Sequence, residues 1–241
     1  MNGIADPTFR QAVRDFCVNQ QFRKDYWVKG SRAITPLEQA DRLREAAVVL
    51  AQPRAKVPLK IKGNLGEATL HEEVYGPILD CLSDHKIRTI GQIEAAVKDK
   101  GITLGQVRQA VVMLVSNGSL LPAQSGAELR QSIQSAASLN DHLMSASRST
   151  NGLNYLASPV IGGGIGVTRM QQLFLLARKQ GRKTPADWAA FAAEILAAQG
   201  QKLVKAGKPL DTAEENLREL IGQAEEFAAE MLPVLKGLMV A

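Results

Sequence analysis

The chain has 241 residues, of which 45% are apolar and 22% charged, with a formal net charge of +5. That length admits one large domain or two or three small ones, and the composition is ordinary for a globular protein with a real core. Aromatics at 5%, beside plentiful Ala, Leu, Val and Gln, argue against a β-sandwich and for helix packed on helix.

In chain order, residues 8–29 read as one helix with Phe9, Val13, Phe16, Cys17, Phe22 and Tyr26 at helical spacing, started by Asp6-Pro7-Thr8 and ended by Gly30. TPLEQADRLREA predicts a short helix with Thr35 as N-cap, Pro36 at N1 and Glu38 closing a capping box. AVVLAQ, VPLKIKG and GEATLHEE then alternate, are rich in Val and Ile, and are punctuated by Pro53, Pro58 and Gly63-Asn64, which predicts a small antiparallel sheet. Residues 74–123 read as three short helices, a turn at Asn117-Gly118 and an apolar strand, the outline of a winged helix-turn-helix.

A long amphipathic helix follows over 126–147, then a short extended run, LNYLASPV, and a glycine-rich loop at Gly162–Gly166. Helices near 168–180, 184–199 and 211–239 close the chain, and Pro233 is placed to kink or end the last one. The fold class is therefore α+β, predominantly helical: an N-terminal segment over 1–52, a winged-helix-like module with a small antiparallel sheet over 53–124, and a C-terminal helical region over 125–241.

SPVIGGGIGVTRMQQLF has the outline of a phosphate loop. A dinucleotide fingerprint needs G-x-G-x-x-G after a strand and an acidic residue about 20 positions on. Here Arg169 stands where the third glycine belongs, and Asp187 falls in a helix start. The glycines read instead as backbone freedom where a strand turns into a helix. An anion or peptide contact at the helix N-terminus, assisted by Arg169, is the remaining functional reading.

The other candidates are weaker. His71, His85 and His142 have no second His at ligand spacing, and Cys17 and Cys81, with no CxxC pair, read as buried free thiols. The glutamates between 214 and 230 read as a solvated face. No apolar run approaches the ~18 residues of a membrane span, and MNGIADPTF has no apolar signal core, so the chain reads as cytoplasmic. A winged helix raises DNA binding, through Gln106, Arg108 and Gln109 at the start of the third helix. Lys98, Lys100 and Arg108 are few cations for phosphate clamping, and packing or dimerisation is the other reading of this module. RDFCVNQQFRKDYW interleaves Arg14, Arg23 and Lys24 with Phe16, Phe22, Tyr26 and Trp27, a mixture enriched at protein interfaces, although it also suits a helix laid over its own domain.

That same stretch resembles the D-F-x-x-N-R-x-F-R motif that opens the predicted methyltransferase regulatory domain. Asp15, Phe16, Asn19, Phe22 and Arg23 match, and Gln20 replaces the usual Arg. LNYLASPVIGGGIGVTRMQQLFLLA, TPADWAAFA and GKPLDTAEENL resemble the C-terminal part of the same proteins, bacterial class I S-adenosylmethionine-dependent methyltransferases that include protein-lysine methyltransferases. In that family the catalytic Rossmann domain lies upstream, and its acidic-x-G-x-G-x-G motif is absent from this sequence. The resemblance thus implies a piece without the methyl-transfer machinery, with no catalytic residue to carry over. It implies no cofactor in this chain, S-adenosylmethionine being that of the associated catalytic domain. The implied role is regulation, dimerisation or substrate recognition, with a methyltransferase catalytic domain, a substrate protein or a second copy as partner. The expected partner-facing residues are Arg14, Asp15, Asn19, Phe22, Arg23 and Trp27, with Gly163, Gly164, Gly166 and Arg169. A winged-helix DNA-binding regulator is the alternative.

Overall fold

The computed structural model describes residues 3–23, 25, 27–63 and 66–241. It is α+β and mostly helical, with small antiparallel sheets, as the sequence predicts. Helix α1, Pro7–Cys17, starts where Asp6 accepts from the amides of Thr8 and Phe9 at 2.7 and 2.9 Å. It does not run on to residue 29. Asn19 takes a left-handed φ of 51°, the Gln20 amide reaches back to the Asp15 carbonyl at 2.8 Å, and the Asn19 amide bonds the Phe16 carbonyl at 3.2 Å. This pair of bonds is a Schellman stop, and Asn is one of the few non-glycine residues that tolerates the left-handed position. Of the residues expected to continue the helix, Lys24 and Tyr26 lie outside the described ones, as does Asn64 of the expected Gly63-Asn64 turn.

Helix α2, Pro36–Glu45, is capped by Thr35, but only half of the expected box forms: the Glu38 carboxylate pairs with Arg42 at 2.7 Å instead of reaching back to the cap. Arg44 ties α2 to the middle of the chain through Glu94, at 2.7 and 3.2 Å.

The middle comprises β1 (Ala47–Leu50), β2 (Lys60–Gly63), β3 (Gly66–Thr69), α3 (Glu72–Cys81), β4 (Arg88–Thr89), α4 (Ile90–Ala96), α5 (Leu104–Ser116) and β5 (Leu120–Pro122). Thr89 and Thr103 begin α4 and α5 with complete capping boxes. The predicted sheet is divided. AVVL becomes the central strand of a three-stranded sheet ordered β4-β1-β5, with Val49 opposite Leu121, whereas KIKG and GEAT form a separate hairpin. The order helix–strand–helix–helix–strand is winged-helix-like. The final strand, however, pairs with β1 from upstream instead of folding back on itself as a wing.

Strand β1 also explains where the cores lie. Successive side chains of a strand point to opposite faces. Val48 and Leu50 pack with Ile78, Leu79, Ile93 and Leu114, while Val49 joins Leu173, Phe174 and Leu235 on the other side. The strand is the wall between two hydrophobic cores.

The C-terminal part holds α6 (Gly126–Ala146), β6 (Tyr155–Ser158), β7 (Gly163–Gly166), α7 (Arg169–Lys179), α8 (Pro185–Ala198), β8 (Val204–Lys205), β9 (Lys208–Pro209), α9 (Ala213–Glu226) and α10 (Leu232–Gly237). Helices α7, α8 and α9 pack on one another around Phe174, Trp188 and Phe227, whose ring centroids are 5.7 and 6.3 Å apart at Phe227. The long final helix does not end at Pro233 but runs through it to Gly237, interrupted by a π turn. Pro233 has no amide to give residue 229, and the turn over Phe227–Met231 widens into π geometry.

Candidate protein-docking surfaces

The N-terminal segment carries its aromatics outside. Phe16, Phe22 and Trp27 are 87, 83 and 92% exposed, Phe9 and Val28 are also exposed, and no residue of α1 is buried. Burying a ring of this size releases about 2–3 kcal/mol, so a cluster of exposed ones is a surface that favours contact. Polar motif residues set its shape. Arg23 spans the Schellman stop, bonding Asp15 at 3.2 Å and Asp25 at 2.8 Å, and the Gln20 side-chain Nε2 donates to the Phe22 carbonyl. Arg14 is exposed in the last turn of α1, where a cation complements the helix dipole. Asp15, Asn19 and Arg23 thus fold the turn, and Phe16, Phe22 and Trp27 are displayed by it.

The glycine run is a β-hairpin. Strands β6 and β7 pair antiparallel from Tyr155↔Gly166 to Ser158↔Gly163. Of these glycines only Gly162 has a positive φ, 64°, and there a methyl group would collide with the Gln124 amide. The expected backbone-freedom role belongs to Gly162 alone. Gly163, Gly164 and Gly166 lie in the strand, exposed. The next helix, α7, is capped by its own Thr168–Gln171 box.

Arg169 turns inward, 7% exposed, and its donors are taken. Nε reaches the Ser147 carbonyl at 2.7 Å. One terminal nitrogen binds Asn151 and Gln201 at 2.8 and 2.6 Å, and the other the Arg148 carbonyl and Gln199 at 3.0 and 2.8 Å. No carboxylate is among these partners. The negative potential comes from the C-terminal ends of α6 and α8, where Ser147 and Gln199 are the cap residues. Arg169 is therefore a tie between helices, and the structure does not bring it together with the N-terminal residues.

The remaining candidates are structural. His85 is buried with φ 56° and Nδ1 3.0 Å from the Leu50 carbonyl. The thiols correct an expectation: Cys17 is exposed because its helix has no cover, and Cys81 is half-buried, its pKa pushed up by burial. The glutamate face is partly engaged, with Glu226 2.9 Å from Lys56 Nζ, Glu230 on the same ammonium, and Glu219 2.6 Å from Lys205. Among the described residues no group of three or more His, Cys, Asp or Glu is arranged to hold a metal. No helix of the described residues is long and apolar enough to cross a membrane.

Of the comparisons with known proteins, the family match falls on the exposed segment. Residues 1–29 match the predicted methyltransferase regulatory domain. The whole chain aligns at 36% identity, over 241 residues, with the uncharacterized protein sll1526 of Synechocystis sp.. It covers 47% of that relative, so the chain spans about half the relative's length. No solved structure matches.

Sequence reading missed two features. One is Asn140, whose side-chain amide bonds both backbone groups of Ala157 at 2.7 and 2.8 Å and seals the outer side of β6. The other is an uncharged groove between α6 and the hairpin, lined by Ser132, Leu139, Leu143, Tyr155 and Gly163. The half-buried contact of β6 with α6 spans 17 residues, beyond what local periodicity can signal.

Proposed function

We propose that this chain is a non-catalytic regulatory and interaction region acting with an S-adenosylmethionine-dependent methyltransferase, and that Phe16, Phe22 and Trp27, set by the Asp15–Asn19–Arg23 turn and flanked by Arg14, are its contact. One observation carries the reading: the stretch matching the methyltransferase regulatory domain is also the stretch whose large side chains find no place in either core. Aromatics and Arg at the centre of a patch are the types that dominate binding energy. The methyl donor's binding site would lie on the partner. The division into residues 1–52, 53–124 and 125–241 is proposed with it, except that β1 goes with the middle unit, to whose strands it pairs.

The test is calorimetry between this chain and the catalytic domain of a class I methyltransferase encoded alongside it. Binding is expected, and Phe22→Ala and Trp27→Ala should each weaken it by about 10-fold or more, with no change in melting temperature. Absence of binding, or variants that bind like the wild type, overturns the reading. So does tight binding of S-adenosylmethionine to the chain alone. The DNA-binding alternative is not favoured: α5, LGQVRQAVVMLVS, carries a single cation, Arg108, and β5 is paired into the sheet instead of forming a wing.

A further inference from the structure

Helices α3 and α5 of the middle unit enclose a cleft. His71, at the N-cap of α3, shares one face of that helix with Val74 and Tyr75, and Gln106, Gln109 and Met113 share one face of α5. With Leu70 they line a space of about 310 Å³.

Its polar groups are held there without partners. Tyr75 is 7% exposed, yet its hydroxyl bonds no described residue, and burial alone pushes the phenol pKa up. The hydroxyl is not sealed in the core, so it opens on the cleft that its side chain lines. Polar groups this deep ordinarily have a hydrogen-bond partner. The His71 ring makes no cap bond to α3. Gln106 accepts from the Thr103 amide and hydroxyl at 2.9 Å each, which leaves its Nε2 to the cleft. The Gln109 carboxamide bonds no described residue. These two glutamines, candidates for reading DNA bases by sequence, instead face α3.

The lining sets the chemistry of an occupant. None of the described lining residues is Asp, Glu, Lys or Arg, so a charged ligand would lose water without gaining a counter-ion. Leu70, Val74 and Met113 form an apolar wall, and a thioether favours the edge of a ring. A glutamine carboxamide meets an adjacent donor and acceptor with two bonds at once, as it does on adenine. The volume is close to the lower bound, about 300 Å³, of small-molecule sites.

We propose that this cleft binds one small, uncharged, planar ring bearing an amide edge: an aromatic carboxamide or the lactam edge of a free nucleobase. The ring lies against Leu70, Val74 and Met113. Its amide edge is met by the Gln109 carboxamide and the Gln106 Nε2, and the Tyr75 hydroxyl and the His71 ring bond its remaining polar atoms. The site is separate from the aromatic contact of the N-terminal segment and does not depend on it. S-adenosylmethionine is not this ligand, because its carboxylate, ammonium and sulfonium groups find no counter-charge in the lining.

NMR titration of the whole chain with benzamide, hypoxanthine and benzoate tests this. Benzamide and benzoate share a shape and differ in charge. A neutral probe should shift the side-chain amide signals of Gln106 and Gln109 and half-saturate at about 1 mM or below. The tighter of benzamide and hypoxanthine identifies the source of the amide edge. Benzoate should bind at least about 10-fold more weakly than benzamide. Tyr75→Phe keeps the ring and removes the hydroxyl, and Gln109→Leu keeps the bulk and removes the carboxamide. Each should weaken binding about 5-fold or more, with the melting temperature unchanged. Gln109 is exposed, so its variant decides the matter even where Tyr75→Phe unfolds the chain. The proposal is overturned if neither neutral probe gives a saturable shift at the lining residues. Benzoate binding as tightly as benzamide overturns it too, as do folded variants that bind like the wild type.

Discussion

Helices α1 and α7 are each eleven residues long and each begins at a capped N-terminus, yet no residue of α1 is buried, while α7 buries seven, Phe174 among them. Both have apolar residues at helical spacing. They differ in what lies opposite: α7 faces α8 and the Phe227 ring, and α1 faces solvent. An amphipathic face is a demand for a partner, and the fold meets that demand for α7 and leaves it open for α1. This difference separates residues that hold the structure from residues available to another molecule.

The sharpest way to break the contrast is to make the same substitution on both sides. Phe174→Ala should cost about 3–5 kcal/mol in urea unfolding, whereas Phe16→Ala should change stability by less than about 0.5 kcal/mol. A stability loss at Phe16 comparable to that at Phe174 would mean that α1 is packed in solution. Arg169→Met should cost about 3 kcal/mol, because the Ser147 and Arg148 carbonyls and three side-chain amides lose their donor inside the protein. Arg14→Met, its exposed counterpart, should leave the melting temperature unmoved.

Smaller effects sharpen the comparison further. Asn19→Ala should fray the end of α1 by about 1 kcal/mol, and Asn19→Gly should not, since only the left-handed position is at stake. Amide exchange at Asn19 and Gln20 reads this directly. In the packed part, two hydrogen bonds from Arg88, at 2.5 and 2.9 Å, hold the Asp84 carboxyl well below the usual carboxylate range, helped by the Lys86 amide. A carboxylate depressed on folding contributes stability above its unfolded pKa of about 3.9 and loses it as the pH falls toward the folded value. Asp84→Asn should therefore cost less than about 1 kcal/mol at pH 7, because both side chains are partly exposed. The gap to wild type should shrink below about pH 4 in acid titration of stability.

Much of this was legible locally. Thr168, Thr184 and Thr212, each followed three residues on by Gln, Asp or Glu, place helix starts correctly, because a capping box is a short-range hydrogen-bond pattern. The stop of α1 was missed because it uses Asn in a position where Gly is the usual signal. Strand β7 was hidden because glycines carry no alternating side-chain pattern to read. The pairing of β1 with β5 joins residues some 70 positions apart and leaves no local trace. At the candidate site the aromatic and Arg positions were visible, but their exposure was not: the spacing of Phe9, Phe16 and Phe22 is the same whether or not something covers them.

Strand β1 has a mechanical consequence. Val48 and Leu50 feed one core and Val49 the other, so a slip of one position would turn every side chain to the wrong core. Neither half can loosen this strand without disturbing its neighbour, and heat should melt them in one transition. The strand is a shared rivet, through which a pull applied to one half is felt at once in the other.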